Sequence, residues 1–300
     1  MKETKGGDRH ETGEPKRIFV VGLPRSGTTL VQGMLNSHPG VRAFPESRFY
    51  DALVHGNRFS KYGKSGLGAF SPRLFARRTR AKLRTLAGIP GSRALKVGLR
   101  FFETAGLQAY CERLIRSATR IDSLNQAFVS TLDEVSSGAW SEKTPAHLFR
   151  IPLIERLVPN AKFIHITRNS QDTIASIWDA AQKFDAWHWV RDNPDPLNRL
   201  ADFCNNGMQI SQRLKDSPSH HVLAYEDLVT DPLSCAKKMA RHCGLDFDKN
   251  MLSPDMQSIT TKSEDWKPAS RSQITPARSK FADVFSREEQ ERLKSVLIDG

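Results

Sequence analysis

Ile18-Phe19-Val20-Val21-Gly22-Leu23-Pro24-Arg25-Ser26-Gly27-Thr28-Thr29-Leu30 is the stretch on which the reading of this chain turns. The apolar, largely β-branched run from Ile18 to Val21 predicts a short strand buried on both faces. Gly22 ends that run, and Pro24 and Gly27 force a tight loop. From Thr28 the pattern turns helical, with Leu30, Val31, Met34 and Leu35 on one side. A strand, a glycine loop and a helix together aim backbone N–H groups at a phosphate.

The spacing Gly22-x-x-x-x-Gly27 is that of a Walker A loop, but Thr28 stands where a nucleotide triphosphatase needs Lys on its β- and γ-phosphates. The loop is therefore a poor ATP site and suits a shorter 5′ anion. Arg25 supplies the cation, Thr28 and Thr29 add hydroxyls, and Ser26 and Gly27 complete the candidate anion-binding set. A small-molecule kinase with a P-loop is the alternative reading. A strand that ends in Arg168, where such kinases place a metal-binding Asp, argues against it.

Working outward, residues 1–17 are polar and carry no apolar core of a secretory signal, so they read as a disordered lead-in. No apolar run approaches the length of a membrane span. Cys111, Cys204, Cys235 and Cys243 lie far apart and form no CxxC pair, which points to reduced thiols, no zinc and a cytoplasmic protein.

The net charge of +12 is concentrated in one place. Residues 52–102 contain twelve Lys and Arg and no acid, and without them 33 cations face 33 acids. Such asymmetry implies an anionic partner. Within it, 73–87 reads as a basic helix containing Arg77, Arg78 and Arg80. That helix is compatible with acceptor recognition or with peripheral contact at a membrane surface. A nucleic-acid-binding module, which would need Arg77 to Arg84, is disfavoured, because no aromatics interleave the cations of that run.

Further strands are expected over 41–44, 161–167 and 221–225, and helices over 103–117, 121–135, 171–184, 198–214 and 233–243. Ser141 to Pro145 reads as a lead into a helix that ends near Val158. Ser286 and Glu289 form a capping-box signature for a terminal helix. Alternating strands and helices predict an α/β fold. The expectation is one P-loop-like, doubly wound parallel sheet flanked by helices, a single domain over 18–300 with a helical, basic insertion at 52–102. In such a sheet ligands gather beyond the carboxyl ends of the strands, where Glu46 of Pro45-Glu46-Ser47-Arg48 falls.

The stretch V-G-L-P-R-S-G-T-T-L resembles the 5′-phosphosulfate loop of sulfotransferases that use 3′-phosphoadenosine 5′-phosphosulfate (PAPS), most closely that of tyrosylprotein sulfotransferases and their bacterial relatives. A-K-F-I-H-I-T-R-N-S-Q-D-T-I-A-S resembles the second signature of that superfamily. There an Arg at a strand end and a Ser eight residues on, here Arg168 and Ser176, hold the 3′-phosphate. The likeness runs from about Ile18 to Phe281 and implies transfer of a sulfuryl group to an acceptor hydroxyl without metal, with adenosine 3′,5′-bisphosphate as product. It implies Glu46 as general base and Lys143 of E-K-T-P as the cation on the leaving oxygen, alongside Arg25. It offers Ser270, Arg271 and Lys280 as final clamps on the donor. His147 is the rival base. The basic segment favours an anionic acceptor: a glycan, a lipid headgroup or an acidic peptide. Oligomeric state is not legible.

Overall fold

The computed structural model describes residues 14–54, 83–184, 188–256, 259 and 274–298. Ser270, Arg271, Arg77, Arg78 and Arg80 lie outside them, as do most of the basic helix expected over 73–87 and residues 1–13 of the lead-in.

Five parallel strands form one sheet: β1 (Lys16–Gly22), β2 (Arg42–Phe44), β3 (Ala139–Lys143), β4 (Ala161–Thr167) and β5 (His220–Ala224), in the order β2-β3-β1-β4-β5. Between β1 and β3 run α1 (Thr28–Asn36), α2 (Phe49–Leu53), α3 (Ala94–Thr104), α4 (Cys111–Ser117) and α5 (Ile121–Val135). The second half adds α6 (Ile151–Leu157), α7 (Ser170–Lys183), α8 (His188–Arg191), α9 (Pro196–Leu214), α10 (Tyr225–Thr230), α11 (Pro232–His242), α12 (Phe281–Val284) and α13 (Arg287–Val296).

β1 is central and buried on both faces, as its apolar run predicts. Phe19 and Val21 enter a core shared with α2, α3 and α5, while Ile18 and Val20 enter a second core with α1 and α11. β1 begins at Lys16, two residues before that run, and Arg17 is fixed there by Asp133 at 3.0 and 3.2 Å. The chain leaves β1 toward one edge of the sheet and β4 toward the other. The carboxyl ends of β1 and β4 therefore flank the point where connections diverge, which is where open α/β sheets bind ligands.

Two expectations are corrected. The helix over 103–117 is not continuous. Residues 94–104 form α3, Gly106 stops it at φ 73°, and the chain restarts at Cys111. Left-handed backbone of this kind favours glycine and closes helices. The lead-in at Ser141 is instead part of β3, a strand buried at all five positions. Its Ser, Glu and Lys obscure the apolar signal, and each charge is matched inside the fold, as described below.

Candidate active site

The loop after β1 needs its glycines for space. A Cβ on Gly22 would stand 2.5 Å from the Ile166 carbonyl oxygen of β4. A Cβ on Gly27, where φ is 107°, would meet the Tyr225 ring at 2.8 Å. Ser26 is wholly buried, and its hydroxyl donates inward to the Leu23 and Ile166 carbonyls at 2.7 and 3.1 Å. Ser26 thus ties the loop to β4 and its side chain does not face outward. The first intrahelical bonds of α1 run from Leu30 and Val31 to Gly27, so the Thr28 and Thr29 amides precede that ladder. The helix start and its dipole favour an anion here.

Arg25 holds φ at 70°, a strained setting for a side chain other than glycine. Its Nε donates to Ser176 Oγ of α7 at 3.2 Å. Arg168, only 8% exposed at the end of β4, donates to the Arg25 carbonyl at 3.4 Å and pairs with Asp172 at 3.4 Å. Burial, and then repulsion by Arg168, lower the Arg25 pKa against the pull of Asp179. Two guanidiniums are therefore held together with the Ser176 hydroxyl between the loop and α7, an arrangement matched to a multiply charged anion.

Tyr225, at the start of α10, organises the far wall. Arg168 lies over its ring at 4.9 Å, and its hydroxyl donates to the Thr275 carbonyl and accepts from the Ala277 amide. The segment so anchored leads to Lys280, whose Nζ meets Asp179 at 2.6 Å. Lys183 meets the other oxygen of Asp179 at 2.6 Å. Partial burial pushes the Asp179 carboxyl up, but the two lysines outweigh it and leave it below its usual range. Tyr225 and Asp179 carry no motif and were not singled out in the sequence. Tyr225 could have been noticed only as the aromatic that closes a strand.

On the other side of β1, Glu46 leaves β2 and meets Lys143 of β3 at 3.2 Å, with Arg48 at 3.8 Å. The Lys143 side chain is 4% exposed and that of Glu46 is 23% exposed, so the acid is the accessible member of the pair. β3 lies beside β1, with Lys143 in register with Val20 just before the loop. His147 is buried completely and meets Glu142 at 3.1 Å. Burial pushes the Glu142 carboxyl up, yet His147, Thr144 and the Ser47 amide outweigh it and hold it below its ordinary value.

The structure thus gathers Arg25, Thr28, Thr29, Arg168, Ser176 and Lys280 around the ends of β1 and β4, and Glu46 with Lys143 beyond β2 and β3. The close approach at Gly22 and Gly27, the amides of the first helical turn and the paired guanidiniums are chemically suited to a nucleotide with phosphates at both ends.

Residues 15–249 match the model of the sulfotransferase family. A relative from Aquifex aeolicus (strain VF5), described as an uncharacterized protein, is 25% identical over 246 residues, which cover 80% of this chain and 27% of that protein. The chain therefore spans only 27% of that relative's length. The sulfotransferase domain of the Synechococcus PCC 7002 olefin synthase superposes with a TM-score of 0.56 at 18% identity, covering 97% of this chain and 98% of that one. The sulfotransferase domain from the curacin biosynthetic pathway gives 0.53 at 18% identity, covering 94% and 96%. These two likenesses show a shared fold.

Proposed function

This chain belongs to the sulfotransferase family, and from that premise we propose that it moves a sulfuryl group from PAPS to an acceptor hydroxyl, with Glu46 as general base. The observation that carries the reading is the pairing of Arg25 with Arg168 and Ser176 across the ends of β1 and β4, next to the Glu46–Lys143 pair. PAPS supplies an activated sulfuryl group and a stable leaving group, adenosine 3′,5′-bisphosphate.

Arg25 and the amides of Thr28 and Thr29 hold the 5′ end. Arg168 and Ser176 hold the 3′-phosphate, with Lys280 closing over it, and Ser270 and Arg271 extend the same clamp. Glu46 accepts the proton of the acceptor hydroxyl as its oxygen bonds to sulfur. The electron pair of the broken sulfur–oxygen bond passes to the 5′-phosphate oxygen, where Lys143 and Arg25 meet the charge. No metal is needed for this balance. Glu46 suits the base role better than His147, which is sealed from solvent and engaged with Glu142.

The acceptor reading rests on the acid-free segment. Of its described cations, Arg84, Arg93, Lys96 and Arg100 are all exposed, which favours an anionic acceptor: a glycan, a lipid headgroup or an acidic peptide. A cytoplasmic location is part of the proposal; among the described residues no helix is long and apolar enough to cross a membrane.

The test is turnover of sulfur-35 PAPS against phenolic, peptide, oligosaccharide and lipid acceptors, with calorimetry of adenosine 3′,5′-bisphosphate. Wild type is expected to bind the bisphosphate without metal. Glu46→Gln is expected to lose about 100- to 10,000-fold in turnover and to keep that affinity. Binding of ATP with Mg²⁺ in preference to the bisphosphate, or full turnover by Glu46→Gln, would overturn the reading.

A further inference from the structure

Adjacent residues of β3 point to opposite faces of the sheet, as strand geometry requires. Lys143 reaches the Glu46 side chain, while Glu142, 1% exposed, turns the other way. Its Oε1 accepts from the Ser47 amide at 2.9 Å and from the Thr144 hydroxyl at 2.6 Å. Its Oε2 meets His147 Nδ1 at 3.1 Å. The Thr144 oxygen in turn accepts from the Arg48 amide at 3.0 Å. Ser47 Oγ accepts from the Phe49 amide at 3.1 Å, so the turn passes rigidly into α2.

Taking a carboxylate out of water costs several kcal/mol unless donors answer it. A carboxylate is therefore a demanding choice for mere filling of space. One of the donors that answer this one belongs to the turn that carries Glu46, and another, Thr144, grips the next amide of that turn. Arg48 is held at φ 53°, a conformation that a non-glycine residue keeps only when its surroundings impose it. The Thr144 contact to its amide is such an imposition.

We propose that Glu142 and Thr144 are positioning residues for the base: they clamp the backbone of Ser47 and Arg48 to the end of β3, so that Glu46 stands against Lys143 and faces the phosphosulfate loop. The inference rests on the reading of Glu46 as the base. Neither residue touches the reacting atoms. Their effect is geometric, and small displacements of a reacting group are costly in rate.

Thr144→Val keeps the shape of a buried side chain and removes the hydroxyl, whereas Thr144→Ser restores it. The measurements are turnover of sulfur-35 PAPS with 4-nitrophenol as probe acceptor, calorimetry of adenosine 3′,5′-bisphosphate, and amide exchange at Ser47 and Arg48. Thr144→Val is expected to turn over about 10- to 100-fold more slowly, through kcat, at unchanged bisphosphate affinity and with faster exchange at those two amides. Thr144→Ser is expected to recover most of the rate and the protection. Wild-type turnover in Thr144→Val, unchanged exchange, or a loss of bisphosphate affinity in step with rate would overturn the proposal. A wild-type protein that neither binds the bisphosphate nor turns over PAPS would instead overturn the function on which it rests. Slow turnover that Thr144→Ser also shows, with both variants folded, would mark the hydroxyl as irrelevant.

Discussion

Two buried polar networks lie on one face of the sheet, either side of Phe19 in β1, and they are built from different chemistry. On the β3 side an ionised carboxylate, Glu142, collects Ser47, Thr144 and His147. On the β4 side His165 shares hydrogen bonds with Ser211 at 3.1 Å and His220 at 2.8 Å, and His220 continues to Glu155 at 3.0 Å. The first network ends beneath the candidate base. The second ends at a carboxylate whose side chain is 40% exposed. Burial, and then the neighbouring His220, His242 and His221, drop the His165 pKa to about 3, so its ring stays neutral. An ionised, fully answered carboxylate fixes geometry at any ordinary pH. The neutral His165 ring joins strands but makes the fold sensitive to acid.

That contrast can be broken most severely at Glu142. Glu142→Ala removes the buried carboxylate on which Ser47, Thr144 and His147 converge, and a loss of about 3–5 kcal/mol is expected in urea unfolding. A loss well under 1 kcal/mol would show that the network carries little. The His165 side is broken by pH. The unfolded ring titrates near 6.5 and the folded one near 3, so the unfolded chain takes up the proton in that window. His165 therefore leaves stability intact above pH 6.5 and erodes it as pH falls toward 3. Between pH 7 and pH 5 this single ring accounts for about 2 kcal/mol. His242, lowered to about 4 but more open to solvent, adds a smaller part of the same sign. Glu142, held below its ordinary value, works in the same sense, but only once pH falls below the ordinary carboxylate range, outside this interval. His165→Gln is expected to flatten the dependence of the urea midpoint on pH, and an unchanged slope would refute the assignment. The smallest effect is expected at the solvent end. Glu155→Gln is expected to cost under about 1 kcal/mol and to leave bisphosphate affinity untouched, since exposed ion pairs contribute little.

The same contrast explains what could be read from the amino acids. The β1 loop, β4 and the segment after Arg168 announce themselves because apolar strands there run straight into Gly22, Gly27 and Arg168. Their order in the chain suffices to predict a doubly wound sheet with two crossings facing one ligand. β3 is hidden because Ser141, Glu142 and Lys143 interrupt its apolar pattern, and the two charges are answered by partners up to 97 positions away. Hydropathy cannot register a charge whose counterion is remote in sequence. The break at Gly106 failed for a local reason: one left-handed residue ends a helix that the apolar pattern would carry on. Glu46 was legible from its place beyond a strand end, but Tyr225 and Asp179 were not, since they act through contacts that only the tertiary fold creates.

Tyr225 has a consequence of its own. One phenol ring lies under Gly27, stacks on Arg168 and tethers the chain at Thr275 and Ala277. On the proposed reading, whatever grips the donor at its sulfate end leans on the same ring as whatever grips it at the far phosphate. The two handholds then cannot tighten or slacken separately, and a donor lacking either phosphate loses more than that phosphate's own contacts.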